Sequence, residues 1–147
     1  MPKTDKESAP HRRTRRDHAT ETAEDYVEAI ADAHEKTGAC RVRDLSQHFG
    51  VSHVTVTRTV ARLQSEGLVS TAPYRPIELT ASGKRLATRS RKRHEIVFRF
   101  LVSLGIDEET AAIDAEGIEH HVSPQTLARF EELAGPGGAK RVTAGKK

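Results

Sequence analysis

The sequence predicts a mainly α-helical protein, with an N-terminal winged helix-turn-helix carrying a small two-stranded wing and a second, helical domain behind it. Three observations carry this reading. Apolar residues recur every three or four positions along most of the chain, two short helical stretches are joined by the turn Gly50-Val51-Ser52, and two alternating apolar-polar runs with prolines between them follow directly.

The elements follow in chain order. Residues 1–19 hold no Val, Ile, Leu or Phe, and a segment that buries so little apolar surface does not offset the entropy of ordering, so a disordered basic tail is expected there. From about Thr20, the spacing of Tyr26, Ile30 and Ala33 predicts a first helix ending at Gly38. A second runs from about Asp44 to Phe49, with Gly50 as terminator. Ser52 is placed to cap a third, in which Val56, Val60 and Leu63 form an inward stripe ending near Gly67. Leu68-Val69-Ser70-Thr71 and Ile77-Glu78-Leu79-Thr80 read as the wing, with Pro73 and Pro76 in its turn. Thr80 or Ser82 starts a long fourth helix to Gly105, and Asp107 begins a fifth. Ser123-Pro124 opens a sixth, reaching about Leu133. The expected divisions are therefore 1–19 tail, 20–80 winged helix-turn-helix, 81–135 helical domain and 136–147 flexible basic tail.

Charge is unevenly placed. The net +3 over 147 residues conceals +4 in residues 1–16, −6 in 17–40, +8 in 41–99, −7 in 100–139 and +4 in 140–147. A basic middle attracts a polyanion such as DNA. With the Val56 stripe inside, Ser52, His53, Thr55, Thr57 and Arg58 are left to face base edges in a major groove, while Arg41, Arg43, Arg62, Tyr74 and Arg75 are suited to hold the sugar-phosphate backbone.

The acidic flanks suggest a cation. Asp25 and Glu28 stand three apart on one helical face, and Glu116, Glu119 and His120 at i, i+3 and i+4 do the same. His94 interrupts the apolar stripe of the fourth helix with a nitrogen ligand. Gathering these carboxylates and imidazoles is costly unless a cation binds them. Hard oxygen donors with one or two imidazoles favour Mn²⁺ or Fe²⁺ over Cu⁺ or a structural zinc. His11, His18, His34, His48 and His53 have no paired ligand at helical spacing, and the single cysteine, Cys40, forms no internal disulfide. No run of about 18 apolar residues and no apolar segment behind the basic N-terminus exist, so a soluble cytoplasmic protein is expected.

Three stretches, Asp25-Tyr26-Val27-Glu28, Arg91-Lys92-Arg93-His94-Glu95 and Asp114-Ala115-Glu116-Gly117-Ile118-Glu119-His120-His121, make the chain recognisable. Over about residues 20–135 it resembles the manganese transport regulators within the diphtheria-toxin-repressor family of metal-dependent transcriptional regulators. The resemblance implies a homodimer whose second domain is a helical dimerisation domain, without the SH3-like domain of iron-type members. It implies two Mn²⁺ per subunit between the domains, the first held by Asp25, Glu28, His94, Glu116 and Glu119, the second by Glu28, Glu116, Glu119 and His120. Iron-sensing relatives carry sulfur ligands where Asp25 and Glu116 stand here, which favours manganese, with Fe²⁺, Co²⁺ and Zn²⁺ as substitutes. The implied activity is metal-activated operator binding, most simply as a repressor of manganese uptake genes. Two alternatives stand beside it: a metal-independent winged-helix regulator, and an iron-responsive member of the same family. A metalloenzyme is disfavoured, because H-E-x-x-H and a pair of E-x-x-H motifs are both missing from the sequence.

Overall fold

A computed structural model describes the backbone of residues 4–135 and the side chains from residue 16. The C-terminal basic tail expected at 136–147 lies outside the described residues. The chain divides into two compact units, Met1–Arg89 and Ser90–Lys147, each described by itself below.

In the first unit, helix α1 (Thr4–Thr37) is followed by α2 (Val42–Phe49) and α3 (His53–Ser65), then by strands β1 (Val69–Ser70) and β2 (Glu78–Leu79). Helix α1 corrects the expectation of a disordered tail over 1–19, since it begins at Thr4. Composition argues against an independent fold for that segment, but extending an existing helix is cheaper than nucleating one, because each added residue brings one hydrogen bond. Two side chains support the junction: Thr22 Oγ1 donates to the His18 carbonyl at 2.9 Å, and Arg62 of α3 donates to the Ala19 carbonyl at 3.3 Å.

The turn between α2 and α3 is built as the sequence suggests. Gly50 ends α2 in the left-handed region at φ 64°, with its N–H on the Ser46 carbonyl, and the Ser52 side chain caps α3 by accepting from the Thr55 N–H at 3.1 Å. Val56, Val60 and Leu63 are buried against Ile30, Leu45 and Cys40. Each such side chain contributes roughly 1.5–3 kcal/mol by leaving water. Tyr26 of α1 stacks on Phe49 of α2 with ring centroids 4.4 Å apart, which locks the second helix to the first.

The wing pairs antiparallel, Val69 with Leu79 and Ser70 with Glu78. It is shorter than the alternation predicts because Pro73 and Pro76 lack ladder donors, and because Ile77 spends its N–H on the Cys40 carbonyl at 2.7 Å. His34 Nε2 lies 2.8 Å from the Ile77 carbonyl, so this histidine straps the wing to α1.

Helix α4 (Ala81–Ser103) starts on a Thr80 cap, whose Oγ1 accepts from the Gly83 N–H at 3.1 Å. The division between the two compact units falls inside α4, after Arg89. Leu86 packs on the core of the first unit, and Gly83 lies so close to the wing's base that a Cβ there would stand 2.0 Å from the Leu68 carbonyl oxygen.

In the second unit, α5 (Glu108–Ile118), one 3₁₀ turn (Glu119–His121) and α6 (Pro124–Ala134) follow. Asp107 caps α5 through the Thr110 N–H at 3.2 Å. Hydrogen bonds from Thr110 hold its carboxyl below the usual range. Ser123 caps α6 through the Thr126 N–H at 3.2 Å. The core gathers Val97, Leu101, Val102, Ala111 and Ala115, closed by Phe100 stacked on Phe130 at 4.1 Å.

Candidate DNA interface and metal centre

The N-terminal end of α3 presents Ser52, His53, Thr55, Thr57 and Arg58 to solvent. Several of these hydroxyls already have local work. Thr57 Oγ1 donates to the His53 carbonyl at 2.8 Å, and Ser52 Oγ and Thr55 Oγ1 lie 3.0 Å apart, so they face outward chiefly as acceptors and methyl groups. Arg41 and Arg43 are exposed at the start of α2, where Arg43 lies 4.0 Å from Asp44. Arg62 departs from expectation. It is only partly exposed, 3.5 Å from Glu66 and bonded to the Ala19 carbonyl, so its guanidinium serves the packing of α3 on α1. Val54 was missed because it lies off the inward stripe; it is 60% exposed between His53 and Thr55, and an apolar group there suits the methyl of a thymine.

At the wing, Ala72-Pro73-Tyr74-Arg75 is a tight turn closed by the Arg75 N–H on the Ala72 carbonyl at 3.1 Å. Tyr74 takes the third position at φ 63°, where a turn opened by proline normally places glycine. Its side chain is fully exposed, and Arg75 beside it is exposed as well.

The acidic residues of the two units differ in setting. In the first, Asp25 and Glu28 are half-buried on α1, one turn apart. Glu21, four residues before Asp25, offers an oxygen within 4.8 Å of it. The i, i+4 spacing to Asp25 is the sequence signal for it.

In the second unit the ligand types converge. His94 Nδ1 of α4 stands 2.9 Å from Glu119 Oε2 and 3.7 Å from Glu116 Oε1, while His120 Nε2 stands 3.3 Å from Glu119 Oε1. Glu119 is buried, at 1% exposure, yet neither of its oxygens meets the geometry of a hydrogen bond. Burial raises the Glu119 carboxyl above its usual range, against the lowering effect of His94 and His120. A buried carboxylate with unsatisfied oxygens, beside two imidazoles and a second carboxylate, is a donor set that a hard divalent cation completes.

The local backbone corrects the expectation of one helical face through Glu116, Glu119 and His120. Helix α5 ends at Ile118, and Glu119 and His120 sit on the 3₁₀ turn. Gly117 weakens the helix there. Arg93, next to His94, donates to the carbonyls of Glu119 and Val122, drawing the turn onto α4. The sequence shows Arg93 beside a ligand but gives no sign of that clamp.

Known proteins carry the same features. The family described as "Iron dependent repressor, N-terminal DNA binding domain" matches residues 18–77, and "Iron dependent repressor, metal binding and dimerisation domain" matches residues 80–136. The chain is 44% identical over 129 residues to the transcriptional regulator MntR of Escherichia coli O6:H1, covering 88% of this chain and 83% of that one. It is 37% identical over 114 residues to the HTH-type transcriptional regulator MntR of Bacillus subtilis, covering 78% and 80%. A solved manganese-dependent transcriptional repressor in complex with manganese matches with a TM-score of 0.69 at 32% identity, covering 76% of this chain and 52% of that one. The chain thus spans about half the length of that structure. The reading head, the acid-imidazole cluster and these matches agree: the chain belongs to the iron-dependent repressor family of metal-responsive, DNA-binding transcriptional regulators.

Proposed function

We propose that this regulator is a homodimer that binds its operator when Mn²⁺ is present and represses genes for manganese uptake. Ligands for two ions per subunit are drawn from Asp25 and Glu28 of the first unit and His94, Glu116, Glu119 and His120 of the second. The observation that carries the reading is Glu119, buried with both oxygens lacking aligned hydrogen bonds between two imidazoles. A bound divalent ion supplies the positive charge that makes burying this carboxylate favourable. Carboxylate and imidazole donors without sulfur favour manganese. Cys40, the one thiol, is buried in the core of the first unit, its pKa pushed up to about 11 chiefly by that burial, and stands outside the ligand set.

On this reading α3 enters the major groove by its N-terminal end, with Arg58 and Val54 at base edges and Arg41 and Arg43 on phosphates. Dimer contacts suit the second unit, which leaves Leu104, Ile113 and Leu133 more than 60% exposed, a large apolar display for a monomer surface. The role is regulatory and not catalytic, and its place is the cytoplasm, where the operator is. No helix among the described residues is long and apolar enough to cross a membrane.

The test starts from duplexes selected out of a random-sequence pool by the Mn²⁺-loaded protein. Their binding is titrated against Mn²⁺, Fe²⁺ and Zn²⁺ at fixed salt, since DNA affinity depends steeply on salt. Glu116→Ala and His120→Ala should lose metal stimulation while remaining folded dimers. Equal binding with and without metal favours the metal-independent alternative, and stimulation by Fe²⁺ alone favours the iron-responsive one.

A further inference from the structure

Two consecutive residues of α4 grip Glu119 in two different ways. His94 meets its carboxylate, Nδ1 to Oε2 at 2.9 Å. Arg93 Nη2 donates instead to the main-chain carbonyl of Glu119 and, at 3.4 Å, to that of Val122. These carbonyls belong to the first residue of the 3₁₀ turn (Glu119–His121) and to the residue that follows it. A 3₁₀ turn has poorer internal hydrogen bonds than an α-helix, and the carbonyls at a helix end lack partners within the helix and carry the negative end of its dipole, so a guanidinium suits them. The group that the guanidinium leaves alone is equally telling. An arginine beside a buried carboxylate ordinarily forms a charge-assisted pair with it, yet neither Glu119 oxygen accepts a hydrogen bond. Arg93 fixes the backbone of the turn and leaves the carboxylate to another cation.

We propose that Arg93 is a positioning residue of the metal sensor. By pinning the carbonyls of Glu119 and Val122 to α4, it sets the place of the Glu119 carboxylate and of the neighbouring His120 imidazole relative to His94, without itself touching the ion. The inference rests on the metal-binding reading above and deepens it with a residue outside the ligand set. His94 stands on α4, whereas Glu119 and His120 stand on the turn, so an ion that joins them must otherwise order one element against the other. A turn already docked on α4 removes that cost from binding. Gly117, just before the turn, makes the clamp more necessary, because glycine in a helix leaves the backbone freer to depart from it.

The test is Mn²⁺ binding to the full chain, measured by calorimetry. Partners that hold metal ligands in place typically contribute roughly tenfold to a hundredfold in affinity, and Arg93→Gln should raise the Kd for Mn²⁺ by that factor. Arg93→Lys, whose ammonium can donate to the same carbonyls without the fixed geometry of a guanidinium, should recover part of the loss. Ser123→Ala is the control for stability alone. It removes the α6 cap bond to the Thr126 N–H, weakening the same unit while leaving every ligand in place, and its Kd should match wild type. Co²⁺ used in place of Mn²⁺ gives a second readout, because its visible absorption reports the number and geometry of its ligands. That spectrum should change in Arg93→Gln and stay as wild type in Ser123→Ala. Wild-type Kd and an unchanged Co²⁺ spectrum in both Arg93 variants would overturn the positioning role and leave the metal reading standing. An equal loss of affinity in Arg93→Gln and Ser123→Ala would overturn it too, by tracing the effect to stability. A wild-type chain that takes up no Mn²⁺ removes the metal reading and this role with it.

Discussion

The first unit packs Ile30, Leu45, Val56 and Leu63 around α3, and Glu24 of α1 is buried in it as well. The second packs a comparable apolar core around Val97 and Ala115, but also buries Glu119 against two imidazoles. A basic surface waits for an anion in one case, and an unsatisfied acidic interior waits for a cation in the other. On the reading proposed above, the buried carboxylate of the second unit is the group that a bound cation would relieve.

Each variant below breaks that contrast at a chosen point. Leu63→Ala, in the fully buried stripe of α3, should cost about 2–5 kcal/mol and lower the unfolding transition equally with and without Mn²⁺, as measured by calorimetry. A loss that metal restores would place α3 in the sensing machinery.

Glu119→Gln should act in opposite directions on the two states. Burial raises the Glu119 carboxyl in the folded protein, so between its ordinary and its raised value the folded state binds more protons than the unfolded one. Stability then falls as pH rises through that window and stays lower above it. The neutral amide removes this loss, and metal-free Glu119→Gln should melt higher than metal-free wild type at neutral pH. It should also lose the metal-induced rise, about 2.7 kcal/mol at an ion concentration of 100 times Kd. A melting curve in chelator below that of wild type would show that the ionised carboxylate stabilises the fold.

Ser52→Ala has the smallest effect. Loss of the cap bond to the Thr55 N–H should cost about 1 kcal/mol, seen as a lower denaturation midpoint with unchanged metal affinity.

Much of the reading head was legible because its signals are local. The Val56 stripe repeats with the helical period, and Gly50, Ser52, Asp107 and Ser123 announce helix ends by their own chemistry. The candidate donors Glu116, Glu119 and His120 were legible for the same reason, by their spacing. What escaped depends on distant partners. The bond from Arg62 to the Ala19 carbonyl joins residues 43 apart, which no local spacing announces. The 3₁₀ turn that carries Glu119 depends on Arg93, 26 residues earlier. Helix α1 reaches back to Thr4 because propagation from a packed segment succeeds where composition alone forbids nucleation.

Gly83 gives the molecule a built-in thermal fuse. A single methyl added there meets the Leu68 carbonyl oxygen at 2.0 Å and the Leu79 side chain at 3.2 Å, so α4 and the base of the wing must part while every residue assigned to metal or DNA stays chemically intact. Gly83→Ala should therefore lower the melting temperature of the first unit, and a variant still folded in the cold would fail on warming. It would let a geneticist withdraw the regulator from a living cell by temperature alone, with manganese supply held constant.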